Sequence, residues 1–243
     1  MENVFSINKQ LCFYNCDRDK NLLLSSYLGW CGEIAGMQLD ARGITREDML
    51  DARQVFLLNR HACKQLRPAK YRQSCVLKTW EMAIQGPRFI RGYALEDMEG
   101  TRLWESVSSW VLVDPVSRKI LRPADYNHKS LFSDESISVE LPKFRLPEAP
   151  ETAVHTVPFS QIDGNGHLSN RFYGDMLSDY APAPFVGRPI TEADITFSHE
   201  ARLGEQIHIH TAATDENAYF MYGLFEDGRR CFEALAKVAE EAR

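Results

Sequence analysis

Apolar residues recur along this chain at two different spacings. At helical spacing they give Leu24, Tyr27, Leu28, Cys31, Ile34 and Ala35, and later Leu168, Phe172, Met176 and Tyr180 with Tyr173 and Leu177 beside them. Each set falls on one stripe of a helix, which predicts two amphipathic helices with one buried face apiece. Elsewhere, β-branched and aromatic residues alternate with polar ones in runs bounded by turn residues. These predict strands over 54–66, 73–84, 89–96 and 103–113, and again over 190–198, 206–214, 219–225 and 231–238.

Two internal matches organise these elements. Phe13, Asp17, Leu22 and Tyr27 overlay Phe159, Asp163, Leu168 and Tyr173 at a constant offset of 146. Residues 99–108 overlay 227–236 at an offset of 128, keeping a tight turn and the same alternation of side chains. That second match assigns 233–240 to a strand, although its composition alone would suit a helix. The fall in offset means that the first copy carries 18 extra residues between helix and hairpin. One helix wrapped by an antiparallel sheet, present twice, is the α+β double hotdog arrangement. The expected domains are 1–124 and 152–243. Residues 125–151, flanked and punctuated by Pro123, Pro142, Pro147 and Pro150 and without a period, form the expected linker.

Composition adds limits. Of 243 residues, 44% are hydrophobic and 26% charged, which suits a folded globular chain and excludes a disordered one. The net charge of −6 disfavours a whole-surface grip on nucleic acid or anionic lipid. No apolar run is long enough to span a bilayer, and nothing near Met1 reads as an export signal. The six cysteines lie singly, without a CxxC pair, so they are expected to be reduced and the compartment cytoplasmic.

The segment 163–170, D-G-N-G-H-L-S-N, stands where the strand of the second copy is expected to enter its helix. Gly164 and Gly166 permit close backbone approach, and free N–H groups at a helix start favour an anionic oxygen such as a thioester carbonyl turning tetrahedral. Asp163 and Asn165 are also ordinary capping and turn residues. The first copy has Asp17-Arg18-Asp19-Lys20-Asn21 at the same place, without the histidine or the glycines. One half is therefore expected to be catalytic and the other structural. His199, His208 and His210 lack the partner spacing of a metal site.

Asp163, Asn165, His167, Asn170 and Tyr173 match D-x-N-x-H-x-x-N-x-x-Y, and with them the chain resembles the acyl-acyl-carrier-protein thioesterases of plants and bacteria. The resemblance extends to Thr79-Trp80, to 109–114 followed by Arg118-Lys119, and to 195–201, where Glu200 stands at the family's glutamate and Ala201 where many members have cysteine. Met176 and Asp179 replace the family's tryptophan and glutamate. The resemblance implies a hydrolase that frees fatty acid from acyl carrier protein and ends chain elongation, with no metal or organic cofactor. Asn165 and the helix-start amides would hold the carbonyl, His167 would orient or relay a proton, and Glu200 and Asp163 would activate water. Without a cysteine at 201, a carboxylate-driven hydrolysis is the consistent mechanism.

From Arg53 to Arg72 the chain carries six basic residues and no acidic one. Such a run is either a solvated face or a dock for an acidic carrier, with Arg60, Lys64, Arg67, Lys70 and Arg72 as its contacts. The implied partner is an acyl carrier protein, and a homodimer is compatible with this reading. The rival readings are a hotdog hydrolase of coenzyme A thioesters, a 3-hydroxyacyl thioester dehydratase, and a non-catalytic acyl-binding protein. Carrier preference and free-thiol release separate them.

Overall fold

The computed structural model describes residues 3–240. Its elements run β1 Val4–Gln10, α1 Leu24–Ala41, α2 Arg46–Asp51, β2 Val55–Gln65, β3 Ser74–Gln85, β4 Arg88–Asp97 and β5 Arg102–Val113. They continue β6 Glu151–Thr156, α3 Phe172–Asp179, β7 Ile190–Phe197, β8 Gln206–Asp215, β9 Ala218–Leu224 and β10 Arg230–Val238. The eight predicted strands are present within one or two residues of the expected ends, including β10 in place of the helix that composition would allow. The chain forms two compact units, one of residues up to Leu11 with Trp30–Leu141, the other of Cys12–Gly29 with the residues from Pro142 onward.

In the first unit the strands lie in the order β1-β3-β4-β5-β2, all neighbours antiparallel. The portion of α1 from Trp30 packs on this sheet, where Cys31 Sγ lies 3.8 Å from Ser106 Oγ of β5 and Arg91 of β4 bonds Gln38. In the second unit the order is β6-β8-β9-β10-β7 with α3 against it. The two orders are one permutation used twice, which confirms the double hotdog fold. Tyr173 of α3 meets Phe197 and Phe232 edge to face at 5.1 and 5.0 Å, and Tyr219 donates its hydroxyl to the Leu177 carbonyl at 2.5 Å. Aromatic edge contacts and a satisfied buried hydroxyl fix α3 on its sheet.

The repeats hold at the level of single hydrogen bonds. At the offset of 128, Asp97 N–H to Thr101 O and Phe225 N–H to Arg229 O are both 2.9 Å, and Gly100 and Gly228 take φ of 85° and 79°. Only glycine adopts that conformation without strain, so the tight turn selects it in both copies. The ion pairs Arg102–Glu105 and Arg230–Glu233 repeat as well.

The extra length of the first copy has a physical form. α1 has 18 residues against 8 in α3, and α2 follows it. Thr45 starts α2 by accepting the Asp48 N–H, with Asp48 returning a bond to Thr45. The expected linker has irregular backbone, yet its first part packs. Tyr126 joins the cluster of Ile44, Met49 and Leu112, while Ile137, Val139 and Leu141 cover Ala62, Ile90 and Val107. None of the six cysteines is in a disulfide. Among the described residues, no helix is long and apolar enough to cross a membrane.

Candidate active site

The loop of the second copy is a closed turn. Asp163 donates its N–H to the His167 carbonyl at 2.9 Å, Gly166 donates to the Asp163 carbonyl at 3.0 Å, and Ile162 and Leu168 form a β-bridge. Asp163 Oδ1 accepts the Asn165 N–H at 2.8 Å and the more distant His167 N–H at 3.5 Å. Position by position, the first copy repeats this network. Asp17 N–H goes to Asn21 O at 2.8 Å, Lys20 N–H to Asp17 O at 3.0 Å, and Cys16 bridges Leu22. Even the left-handed backbone repeats, with φ of 64° at Lys20 and 80° at Gly166. A lysine bears that conformation at some cost, which the glycine avoids.

The expectation that this loop is a helix start is corrected by the structure. α3 begins at Phe172, and Leu168, which fits the helical spacing, is instead held by its bridge and by donating its N–H to the Ala201 carbonyl at 2.8 Å. That last bond positions the chemistry. It ties the turn to the segment after β7 and sets Glu200 beside His167, with Nε2 of the ring 3.3 Å from Oε2 of the carboxylate. Glu200 lies just beyond the strand rather than on it. Both side chains are partly exposed, at 21% and 26%, so water reaches the pair. Asn165 is exposed on the tip of the same turn. Of the four expected catalytic residues, His167 and Glu200 touch, Asn165 sits on their turn, and Asp163 bonds the turn's own amides.

Sequence reasoning passed over what stands behind the pair. Cys231 of β10 accepts both the Ser198 and His199 N–H at its carbonyl, at 2.9 and 3.1 Å, and its thiol lies 3.4 Å from the Tyr173 hydroxyl. Burial pushes the Cys231 thiol up to about 11 and the Tyr173 hydroxyl well above its usual range, so both stay neutral and act as packing and hydrogen-bonding groups. No local pattern flags Cys231, because its partners lie 32 to 58 residues away. Ala201 is fully buried and carries no nucleophile. His199 bonds the Arg230 carbonyl, His208 bonds Glu151, and His210 stacks on Tyr222, so the three histidines face separate partners.

The basic stretch divides on folding. Lys64, Arg67, Lys70 and Arg72 are exposed. Arg60 is 9% exposed and donates to the Leu141 carbonyl at 3.4 Å, so it belongs to the packing of the first unit rather than to an accessible face.

The fold and sequence have known counterparts. No curated protein matches the chain. The solved acyl-ACP thioesterase of Bacteroides thetaiotaomicron superposes with a TM-score of 0.89 at 16% identity, over 98% of each chain. The 12:0-ACP thioesterase of Umbellularia californica gives 0.80 at 14% identity, again over 98% of each. Residues 2–128 match the acyl-ACP thioesterase N-terminal domain and residues 145–233 the acyl-ACP thioesterase C-terminal domain. The chain therefore belongs to the acyl-ACP thioesterase family, and it is a hydrolase of thioester bonds that releases fatty acid from acyl carrier protein.

Proposed function

We propose that His167 and Glu200 are the hydrolytic pair, and the observation that carries this is the 3.3 Å contact between the segment after β7 and a turn that has a histidine only in the second copy. Glu200, oriented by the His167 ring, takes a proton from water. The water oxygen bonds to the thioester carbon, and the oxygen that becomes negative is held by the Asn165 side-chain amide and the Gly164 N–H. Collapse breaks the carbon–sulfur bond, and the proton passes through His167 to the leaving thiolate, giving free acid and free thiol. Asp163 acts by shaping the turn, since its Oδ1 accepts the Asn165 and His167 N–H groups of the loop.

In this reading the N-terminal hotdog binds substrate and carrier and the C-terminal hotdog carries the catalytic residues. Lys64, Arg67, Lys70 and Arg72 form the accessible dock for the acidic carrier. With a net charge of −6 the chain offers nucleic acid no whole-surface attraction, so the proposed partners are the carrier and a second copy of this chain. That none of the six cysteines is in a disulfide supports a reducing, cytoplasmic compartment. The test is turnover of acyl carrier protein with free-thiol detection by His167→Ala and Asn165→Ala. Each is expected to lose a factor of about 10² or more with the fold intact. Turnover near that of the unaltered protein in either variant overturns its assignment, and enoyl product without free thiol overturns the hydrolysis itself.

A further inference from the structure

Behind the His167–Glu200 pair, β10 is irregular. Arg230 pairs with Leu224 of β9 and Phe232 with Gly223, so Cys231 is the extra residue of a β-bulge. Cys231 and Phe232 are both fully buried although they are consecutive, which strict alternation along a strand does not allow. The bulge turns the Cys231 thiol inward, 3.4 Å from the Tyr173 hydroxyl of α3, and the thiol donates to the His199 carbonyl at 3.6 Å. A thiol that donates to one oxygen is left to accept from the other. The bonds therefore run one way, from the Tyr173 O–H to the Cys231 sulfur and from the Cys231 S–H to the His199 oxygen.

That oxygen belongs to the peptide joining His199 to Glu200. Because the peptide unit is planar, holding its oxygen restricts the direction in which the Glu200 side chain leaves the backbone. The Cys231 carbonyl already accepts the Ser198 and His199 N–H on one side of Glu200, and Leu168 holds the Ala201 carbonyl on the other. The first copy separates the thiol from the bulge itself. At the offset of 128, Leu103 is the extra residue between the pairs Arg102–Glu96 and Trp104–Leu95, and its carbonyl accepts the Leu66 and Arg67 N–H at 2.8 and 3.1 Å. The backbone device is the same, yet leucine stands in place of the thiol, and Pro68, next after those donors, in place of Glu200. Packing in the bulge does not require a thiol. The copy that has one is the copy with the carboxylate.

We propose that Tyr173 and Cys231 are positioning residues for Glu200: their hydrogen-bonded chain fixes the His199–Glu200 peptide so that the carboxylate is aimed at His167 Nε2 and the attacking water. The proposal rests on the reading of Glu200 as the base. Neither group touches substrate or gives up a proton in the reaction.

Steady-state turnover of acyl carrier protein and thermal unfolding of Tyr173→Phe, Cys231→Ser, Cys231→Ala and Glu200→Gln test it. Tyr173→Phe and Cys231→Ala are expected to lower kcat about tenfold with KM unchanged, since a small misplacement of a reacting group costs rate rather than binding. Serine and alanine are nearly equal in size, and only serine keeps a donor and an acceptor. Cys231→Ser is therefore expected to recover most of the kcat lost in Cys231→Ala while being no more stable. In the Glu200→Gln background, Tyr173→Phe is expected to cost nothing further, because the group it acts through is already gone. Unchanged kcat in Tyr173→Phe, equal kcat for serine and alanine at 231, a loss carried in KM alone, or a further loss in the Glu200→Gln background overturns the proposal and leaves the hydrolytic pair standing. Full turnover in Glu200→Gln overturns the pair, and this proposal with it.

Discussion

The same substitution, Gly to Ala, is expected to have opposite signs in the two main helices. Gly32 lies in α1 with nothing within 4 Å of the position a Cβ would take. Alanine there removes the conformational freedom of glycine at no steric cost, for a gain of ~0.5–1 kcal/mol. At Gly174 in α3 the new Cβ would stand 2.9 Å from Ser25 N, 3.0 Å from Ser25 Cα and 3.2 Å from Leu24 Cγ. The nearest two are backbone atoms, which cannot rotate aside as a side-chain end can. Overpacking of this kind costs ~1–3 kcal/mol, which exceeds the helical gain and leaves a net loss of roughly 0.5–2 kcal/mol. For a chain of this size 1 kcal/mol moves Tm by about 2–4 °C. Thermal unfolding followed by circular dichroism should therefore show Gly32→Ala above the parent protein by about 1–4 °C and Gly174→Ala below it. If Gly174→Ala is as stable as Gly32→Ala, the close approach of α3 to the start of α1 is not as described.

Three further outcomes follow from the site. Asp163→Asn, which keeps an acceptor for the Asn165 N–H, should retain most activity, while Asp163→Ala should lose far more; an equal loss in steady-state kcat would make Asp163 the base instead. Alkylation of folded protein should leave turnover intact, because the Cys231 thiol is buried and raised to about 11 and Ala201 replaces the family's cysteine; rapid loss that substrate prevents would contradict this. Charge reversal at Lys64, Arg67 and Lys70 should lower kcat/KM for acyl carrier protein and flatten its salt dependence while sparing a carrier-free thioester; unchanged carrier kinetics would leave that stretch a solvated face.

The parts of this protein that could be read from its sequence are those set by local rules. Period-two runs ending at Gly100 and Gly228 gave the hairpins, because a left-handed turn position and alternating burial leave their mark residue by residue. The start of α3 was not legible, since Leu168 sits at a helical interval but is captured by Ala201, 33 residues away. Arg60 shows the same limit. It reads as one more positive charge in a basic run, and only the return of the chain at Leu141 buries it. α2 has just 6 residues, and its signal is the Thr45–Asp48 cap rather than any apolar stripe. Within the site, residue types and spacing marked Asp163, Asn165 and His167 as one cluster. They could not divide its labour, because which acceptor faces the loop and which faces water depends on distances formed only on folding.

The central claim is that His167 and Glu200 work as one unit, and a double-mutant cycle on acyl carrier hydrolysis tests it most directly. His167→Ala and Glu200→Gln should each lower kcat by about 10²–10⁴, and the double variant should be no slower than the worse single one, since groups that act together are lost together. Losses that multiply in the double variant would mean that the two side chains act independently, and the 3.3 Å contact would then be incidental to catalysis.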